Sequence, residues 1–357
     1  MPTVALILPS RETFAPNGAG AIALVAERLA RASSWRTVVI GRAVVAPFAG
    51  FRPVKRHLPY GLAVIGAVRR LRPDLVEVHN RPLLACALSW WHPRVALVLH
   101  NDPTGMRGMR SAAGRARTGR HLTGIAAVSS WVAGRAAPAA ASVLPNGIEL
   151  PPLSGGERPR TVAFAGRMVA DKGADVFVDA MAAMLADLPG WRAVMVGADR
   201  FGTASPETPF LRALRPRAAA IGVDLLGWQP HATVLDVLQR ASIAVVPSRW
   251  PEPFGLAALE AMATGAALVH TGTGGLAELV GDAGVRVTPG DALELGLAVA
   301  EIARNPARRQ ALSEAGVTRA ALFAMDRVAA RVDAWRAGLL ERLPSRHRRP
   351  ISPSAAL

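Results

Sequence analysis

Two glutamates lie eight residues apart in the segment WPEPFGLAALEAMATG, residues 250–265. The segment FGLAALEAMATG, residues 254–265, predicts a helix that closes at Gly265, so Glu252 precedes this helix and Glu260 lies within it. Helix side chains lean toward the amino end, where unpaired N–H groups and the helix dipole favour a phosphate. We therefore expect both carboxylates near a phosphate site, each accepting from hydroxyls such as a vicinal diol. The alternative is that Glu252 only favours the dipole and Glu260 faces solvent.

A second group of candidate residues lies in the segment TVAFAGRMVADKG, residues 161–173. Gly166 and Arg167 form a turn after a strand-like run, and Lys172 precedes the next helix. Both cations can meet a diphosphate, Arg through a bidentate fork and Lys as a point charge. The chain has only one other lysine, Lys55, and no D-x-D pair. Side chains and helix ends, rather than a metal, are therefore expected to stabilise a leaving diphosphate. Two solvated cations are the alternative.

Polar residues also follow two β-type runs of the first half, VEVHN and ALVLHN, which place His79 and His100 at strand ends. A histidine there serves either as a structural hydrogen-bonding group or in catalysis. Asp102 lies beside His100 and is a further candidate for contact with a substrate.

A run of five arginines without an acid follows, in the segment GMRGMRSAAGRARTGRHL. Such a cluster can hold phosphorylated sugars or anionic lipid headgroups, and a solvated helix face is the alternative. The segment contains no Phe, Tyr or Trp, so nucleic acid is not expected as a partner. The five are Arg107, Arg110, Arg115, Arg117 and Arg120.

Short apolar β-type runs alternate with Ala/Leu-rich helical segments throughout, which predicts two consecutive parallel sheets covered by helices. Ligands of such sheets bind beyond the carboxyl ends of the strands, where the candidate residues lie. A Pro/Gly-rich segment at 151–160 separates the halves. We expect domains at 1–152 and 158–325, a helix at 326–343 that crosses back to the first domain, and a flexible basic tail at 344–357. The predicted strands are VALIL, TVVIG, LVEVHN, ALVLHN, GIAAVSS and ASVLPNGI, then TVAFAG, WRAVMVGA, VDLLGW, IAVVPS and AALVHT.

Composition favours a folded cytoplasmic protein with anionic partners. The formal net charge is +16, the hydrophobic content is 51% and Cys86 is the single cysteine, which argues against disulfides. No apolar run reaches the roughly eighteen residues of a membrane-spanning helix.

The segment EPFGLAALEAMATG and the GR…KG pattern at 166–173 resemble the retaining nucleotide-sugar glycosyltransferases of family 4. The resemblance extends from about residue 18 to about residue 290. It implies the α/β GT-B fold, with two Rossmann-like domains facing across a cleft. It also implies that Glu252 contacts the transferred hexose and that Glu260 holds the ribose hydroxyls. The backbone N–H groups of Phe254, Gly255 and Leu256 would meet the sugar and the diphosphate, with Gly166, Arg167 and Lys172 beside it.

Other matches to the same family are shorter. Gly20, in the run Gly18-Ala19-Gly20, resembles the family's Gly-Gly loop at the donor diphosphate. His100 matches a histidine that contacts the hexose, while Asp102, Arg107 and Arg110 are assigned to the acceptor. GWQP at 227–230 resembles the contact with the nucleobase, and Gly274, Gly275 and Glu278 resemble a GG…E turn near the donor.

The function implied by the resemblance is transfer of a hexose, with retention, from a nucleotide-diphosphate sugar to a saccharide or lipid-linked acceptor. UDP-glucose or UDP-N-acetylglucosamine is the expected donor, with no cofactor and no metal. The HNRP and HNDP motifs resemble a subset that acts on lipopolysaccharide cores, so we expect work on cell-surface glycans at the inner face of the cytoplasmic membrane.

Three alternatives remain open at this point. They are a sugar-nucleotide epimerase of GT-B fold, a non-catalytic sugar-nucleotide binding protein, and a dehydrogenase that uses the Gly-x-Gly run for NAD. The last fits poorly, because nine residues separate the first strand from Gly18 and no acid follows TVVIGR.

Overall fold

The computed structural model describes residues 1–16, 18–54, 57–153, 156–199 and 207–341. The predicted tail at 344–357 and Lys55 lie outside these ranges.

The chain forms two compact units. The first takes in Met1–Phe14, Ile22–Leu144 and the residues from Ala329 onward, and the second takes in Ala15–Ala21 and Pro145–Val328. The chain therefore changes unit at Pro145, a few residues before the predicted boundary at 152.

The first unit is built on a parallel sheet of seven strands. They are β1 (Thr3–Ile7), β2 (Arg36–Arg42), β3 (Phe51–Val54), β4 (Leu75–His79), β5 (Val95–Leu99), β6 (Gly124–Ala127) and β7 (Ser142–Val143). Their order is β3-β2-β1-β4-β5-β6-β7, and β1 and β4 in the middle are almost wholly buried. Central parallel strands read as continuous apolar runs because both faces are covered by helices.

Five helices connect these strands. They are α1 (Ala21–Ala32), α2 (Tyr60–Leu71), α3 (Pro82–Ser89), α4 (Ala112–His121) and α5 (Ser130–Arg135). The step from β1 to β2 runs toward one sheet edge, and the steps from β3 through β6 run toward the other. Since such crossovers are right-handed, α1 lies on one face and α2, α3 and α4 share the opposite face.

The second unit repeats this design with six parallel strands. They are β8 (Thr161–Ala165), β9 (Arg192–Val196), β10 (Val223–Gly227), β11 (Ile243–Val246), β12 (Ala267–His270) and β13 (Val285–Arg286). Their order is β10-β9-β8-β11-β12-β13, so the chain leaves β8 toward one edge and returns through β11 toward the other. The point between β8 and β11 is the position at which sheets of this kind bind ligands.

Eight helices follow in the rest of the described chain. They are α6 (Ala174–Met184), α7 (Pro209–Ala220), α8 (His231–Arg240), α9 (Leu256–Ala263), α10 (Leu276–Val280), α11 (Ala292–Arg304), α12 (Pro306–Ala321) and α13 (Met325–Glu341). The core of the second unit packs α6 and α11 against the sheet, with Phe164, Phe177 and Val299 fully or almost fully buried. No helix within the described ranges combines the length and the apolar composition needed to cross a bilayer.

The last helix is joined to the first unit through a buried charge network. The Arg336 guanidinium is fully buried and donates to both carboxylate oxygens of Glu77, at 2.6 and 3.0 Å. It also donates to Asp333 at 2.9 Å and to Ser33 at 2.9 Å. Burial would raise the pKa of Asp333, but hydrogen bonds from Ser33 and Ser34 and the Arg336 charge bring it below its ordinary value. The helix is therefore fixed by ionic contacts as well as apolar ones.

The predicted α/β architecture of two parallel sheets is confirmed, and each predicted strand is present. Two strands were not predicted: β3, which contains Pro53, and β13, which has two residues. Both lie at sheet edges, where strands are short and proline is tolerated.

Candidate functional site

The loops that follow β8 and β11 pack directly against each other at the carboxyl edge of the second sheet. The backbone N–H groups of Arg249 and Trp250 both donate to the carbonyl of Asp171, at 3.0 and 3.1 Å. Gly173 has φ +69°, and a Cβ there would lie 2.1 Å from the carbonyl oxygen of Pro247. Only glycine permits this approach, which fixes Lys172 opposite the loop that carries Glu252.

Lys172 and Glu252 form an ion pair. Nζ of Lys172 lies 2.6 Å from Oε1 of Glu252, and their side chains are 25% and 8% exposed. Oγ of Ser248 donates to the same carboxylate oxygen, and Ser248 is itself buried. Lys172 is therefore the ion-pair partner of Glu252 in this structure, whereas its sequence position predicted only a contact with a diphosphate. Ser248 was not predicted, although its place directly after the apolar run IAVVP could have pointed to it.

The predicted GG…E turn supports the backbone of Glu252. The N–H of Gly275 donates to the Glu252 carbonyl at 2.6 Å, and Gly274 forms an isolated parallel bridge with Glu252. A Cβ on Gly274, which has φ +65°, would lie 2.4 Å from that carbonyl oxygen. The side chain of Glu278 is exposed, so this turn acts on the site through its backbone.

Helix α9 begins at Leu256, two residues after its predicted start at Phe254, because Gly255 has a left-handed backbone conformation. Phe254 is buried against the ring of Phe323, at 5.9 Å between centroids, and Gly255 with φ +102° precedes Leu256, the first helical residue. In the described residues no side chain caps this amino end. The helix closes at Gly265, with φ +80°, as predicted.

Glu260 lies in the second turn of α9 and is 6% exposed. Its Oε1 lies 2.7 Å from Nε2 of His231, the first residue of α8. The two glutamates thus have separate partners, Lys172 and Ser248 for one and His231 for the other. His231 was not predicted, although it directly follows the GWQP motif at the end of a strand.

Of the remaining predicted donor residues, Gly166 lies against a neighbouring strand. The N–H of Gly166 donates to the Val196 carbonyl at 3.0 Å, and Arg167, which follows it, has an exposed side chain. Gly20 lies in the segment Ala15–Ala21, directly before α1.

In the first unit, His79 and His100 form a stacked and hydrogen-bonded pair. Nδ1 of His79 lies 2.8 Å from Nε2 of His100, and the ring centroids are 5.0 Å apart. The Asn80 side chain accepts from the His100 backbone N–H at 2.7 Å. Burial lowers the pKa of His79 to about 3, with the Arg336 charge adding to the effect. Burial and the neighbouring His79 lower the pKa of His100 well below its ordinary value, so both rings are neutral near pH 7.

The pair also constrains the tautomer of His100. Nε2 of His79 is buried without a partner in the described residues, and an unpaired acceptor there avoids leaving a donor unsatisfied. Nδ1 of His79 then donates, and Nε2 of His100 accepts. His100, when neutral, carries its proton on Nδ1 and can offer that N–H to a ligand.

The predicted acceptor residues differ in their surroundings. Asp102 accepts from the N–H and the hydroxyl of Thr104, at 2.8 and 2.7 Å, and from Arg135 at 2.8 Å. Burial would raise the Asp102 pKa, but these bonds lower it below its ordinary value. Asp102 therefore has a structural role in its own loop, and its contact with an acceptor stays a prediction. Arg107 and Arg110 are exposed.

Comparison with known proteins finds one matching family model and similar curated relatives. A family model described as glycosyl transferases group 1 matches residues 159–305. The chain is 30% identical over 263 residues to LpsB of Rhizobium meliloti (strain 1021), a lipopolysaccharide core biosynthesis mannosyltransferase, which covers 64% of this chain and 73% of that protein. It is 29% identical over 285 residues to a glycogen synthase of Mycobacterium tuberculosis, which covers 70% of this chain and 64% of that protein.

A solved structure shares the fold across almost the whole chain. The crystal structure of Anabaena Alr3699/HepE in complex with UDP-glucose superposes with a TM-score of 0.77, and the match covers 94% of this chain and 99% of that chain. The identity is 17%, so the likeness speaks for the fold, which is the GT-B kind that the motifs implied.

Proposed function

The chain belongs to the glycosyl transferases of group 1, and on that premise we propose that it transfers a hexose from a UDP-linked donor, with retention, to a saccharide or lipid-linked acceptor. The observation that carries this proposal is the pair Lys172–Glu252, supported by Ser248 and by the Gly274–Gly275 turn at the switch point of the second sheet.

The roles of the two glutamates differ in the proposal. Glu252 accepts from hydroxyls of the transferred hexose, and its orientation is fixed by Lys172. Glu260 accepts from the ribose hydroxyls, with His231 holding its carboxylate at 2.7 Å. Both are buried, so a hydroxyl that leaves water to reach them gains a charge-assisted hydrogen bond.

The leaving diphosphate is stabilised by cations and by backbone groups in this mechanism. Arg167, Lys172 and the amino end of α9 meet its charge, while His100 contacts the hexose. No side chain acts as a nucleophile, and the departing phosphate takes the proton of the acceptor hydroxyl. The enzyme contributes positioning and preorganised charge, without a metal or a cofactor.

The identities of the donor and the acceptor are proposed from the proteins that this chain resembles. The match to a structure that contains UDP-glucose supports a UDP-linked donor, with glucose or N-acetylglucosamine as the hexose. The match to a lipopolysaccharide core mannosyltransferase supports an acceptor in cell-surface glycan synthesis. Asp102, Arg107 and Arg110 are proposed for acceptor binding, at the inner face of the cytoplasmic membrane.

The first test is a thermal-shift panel with UDP, GDP, ADP and NAD on the parent protein and three variants. UDP is expected to raise the thermal midpoint of the parent by mass action. Glu260→Ala should abolish this shift, because the ribose loses its carboxylate. Glu252→Ala should keep the shift but lower kcat. Glu314→Ala, which removes an exposed glutamate of α12, is the matched control.

The outcomes separate the competing functions. Stabilisation by NAD alone would favour a dehydrogenase, and stabilisation by none of the four would count against any nucleotide-sugar reaction. UDP binding without turnover of UDP-sugars would favour a non-catalytic binding protein. Release of free sugar or nucleotide without an acceptor would favour an epimerase. A full UDP shift in Glu260→Ala would remove the role assigned to Glu260.

A further inference from the structure

Three neighbouring helices of the first unit carry no negative charge, and two of them, α2 and α4, carry positive charge. The sequences of α2, α3 and α4 contain no Asp or Glu, while α2 ends in Arg69 and Arg70 and α4 carries Arg117 and Arg120. All four of these arginines are exposed. The chain has no acid at all between Pro103 and Ile148. These helices share one face of the sheet, so their charges add on one surface.

The same surface exposes large apolar side chains. Trp90 and Trp91, directly after α3, are 72% and 52% exposed, and Leu83 near its start is 52% exposed. Most tryptophan side chains in folded proteins are largely buried. Two adjacent exposed tryptophans are therefore unusual on a surface that contacts only solvent.

Ring contacts place the tryptophans among the arginine-bearing helices. The Trp91 ring lies under the Arg69 guanidinium of α2, at 5.4 Å from Cζ to the centroid. The centroid of the Trp90 ring lies 6.3 Å from the centroid of the His121 ring, and His121 is the last residue of α4. One tryptophan thus contacts α2 and the other α4. The resulting surface is named the Trp–Arg surface and consists of Leu83, Trp90, Trp91, Arg69, Arg70, Arg117 and Arg120.

We propose that the Trp–Arg surface docks the protein onto a bilayer that contains anionic lipid. Indoles favour the headgroup level of a membrane because they have an apolar body and a polar N–H, and Leu83 suits the acyl boundary. The arginines pair with lipid phosphates, for which the guanidinium fork is well matched.

Two other observations favour a bilayer over nucleic acid. The Arg69 guanidinium covers a face of the Trp91 ring, which a stacked base would need. Exposed Leu83 adds an aliphatic group that fits lipid chains and offers no hydrogen bond to a base.

A second exposed apolar helix provides the contrast. On α11, Leu293 and Leu297 are 65% and 63% exposed, but Glu294 and Glu301 lie on the same helix. An anionic membrane repels such a surface, so it serves as an internal control.

The test is flotation of the full chain with vesicles of phosphatidylcholine alone and with about 30% phosphatidylglycerol. We expect binding only to the anionic vesicles, and its loss when NaCl rises from about 0.05 M to about 0.5 M. Trp90→Ala with Trp91→Ala should lower the partition coefficient at least about tenfold, because both interfacial anchors are lost. Arg117→Ser with Arg120→Ser should lower it about 25-fold, since each basic group contributes about fivefold.

Matched variants elsewhere should bind as the parent does. These are Leu293→Ala with Leu297→Ala for the apolar part, and Arg304→Ser with Arg327→Ser for the charge. Binding of the parent to neutral and anionic vesicles alike, or equal loss in the matched variants, would overturn the proposal. Tighter binding to a single-stranded RNA than to anionic vesicles would reassign the surface to nucleic acid. The proposal is independent of the identity of the sugar donor. A UDP-induced thermal shift that persists in Trp90→Ala with Trp91→Ala would show that the donor site is intact when membrane binding is lost.

Discussion

At the scale of single residues, the ion pair of Lys172 with Glu252 couples two predicted roles: stabilisation of the diphosphate by Lys172 and contact with the hexose by Glu252. The carboxylate is buried, and Lys172 and Ser248 both donate to one of its oxygens. Truncating one member of a buried ion pair leaves the other without compensation. Substitution of Lys172 therefore removes a cation and also disturbs the carboxylate proposed to hold the hexose.

We expect Lys172→Ala to lower kcat about 10²-fold at saturating donor, as for loss of a preorganised charge. If the pair acts as a unit, Lys172→Ala combined with Glu252→Gln should lose about as much as the worse single variant. Steady-state kinetics of the three variants measure this coupling. Arg192→Ala, at an exposed position at the start of β9, is the control. Parental kcat in Lys172→Ala would refute the assignment, and multiplicative losses would refute the coupling.

At the scale of elements, α13 stabilises the first unit through Arg336. Its guanidinium is fully buried and faces the Glu77 and Asp333 carboxylates, with the Trp35 ring centroid 5.9 Å from Cζ. Without Arg336, Glu77 would keep a buried charge with no counter-ion, which costs several kcal/mol.

Arg336→Ala is expected to lower the opening free energy of β4 by about 3–5 kcal/mol, measured by native-state hydrogen exchange. Arg331→Ala, an exposed arginine on the same helix, should change it by no more than about 0.5 kcal/mol. Equal protection in both variants would mean that the ionic network contributes little. Partial recovery in Arg336→Met combined with Glu77→Leu would show that the penalty comes from the unpaired carboxylate.

The strands and helices also show which features could be predicted from the sequence. Alternating apolar runs sufficed for the two sheets, because buried parallel strands are continuously apolar. The end of α9 followed from Gly265, whereas its start lies two residues later than predicted, because Gly255 adopts a positive φ. The pairing of Lys172 with Glu252 did not follow, because it depends on β8 and β11 being neighbours although 80 residues separate the partners. The same holds for His231 and Glu260, and the local role of Asp102 required the position of Arg135.

At the scale of the whole molecule, three buried histidines make stability sensitive to acid. Burial lowers the pKa of His79 to about 3 and of His270 to about 4, and lowers that of His100 well below its ordinary value. The unfolded chain takes up these protons near pH 6.5 and the folded chain at lower pH. Stability is therefore fully present above about pH 6.5 and is lost as the pH falls toward the folded values.

We expect the thermal midpoint to fall between pH 7 and pH 5, with a loss of about 2 kcal/mol at pH 5 for each of His79 and His270. His270→Leu should reduce the slope of the thermal midpoint against pH. It should also add about 1 kcal/mol at pH 7, because both ring nitrogens of His270 are buried without partners in the described residues. His57→Leu, at an exposed position, should match the parent. An unchanged slope in His270→Leu would contradict the prediction.

The buried contact between Glu77 and Arg336 spans 259 positions of the chain. A ribosome delivers the seven strands of the first sheet, and then all of the second unit, before Arg336 is made. During that interval the nascent first unit holds a carboxylate whose counter-ion does not yet exist. Native closure of this unit therefore waits until α13 has been made, and the second unit is the first that can complete its own core.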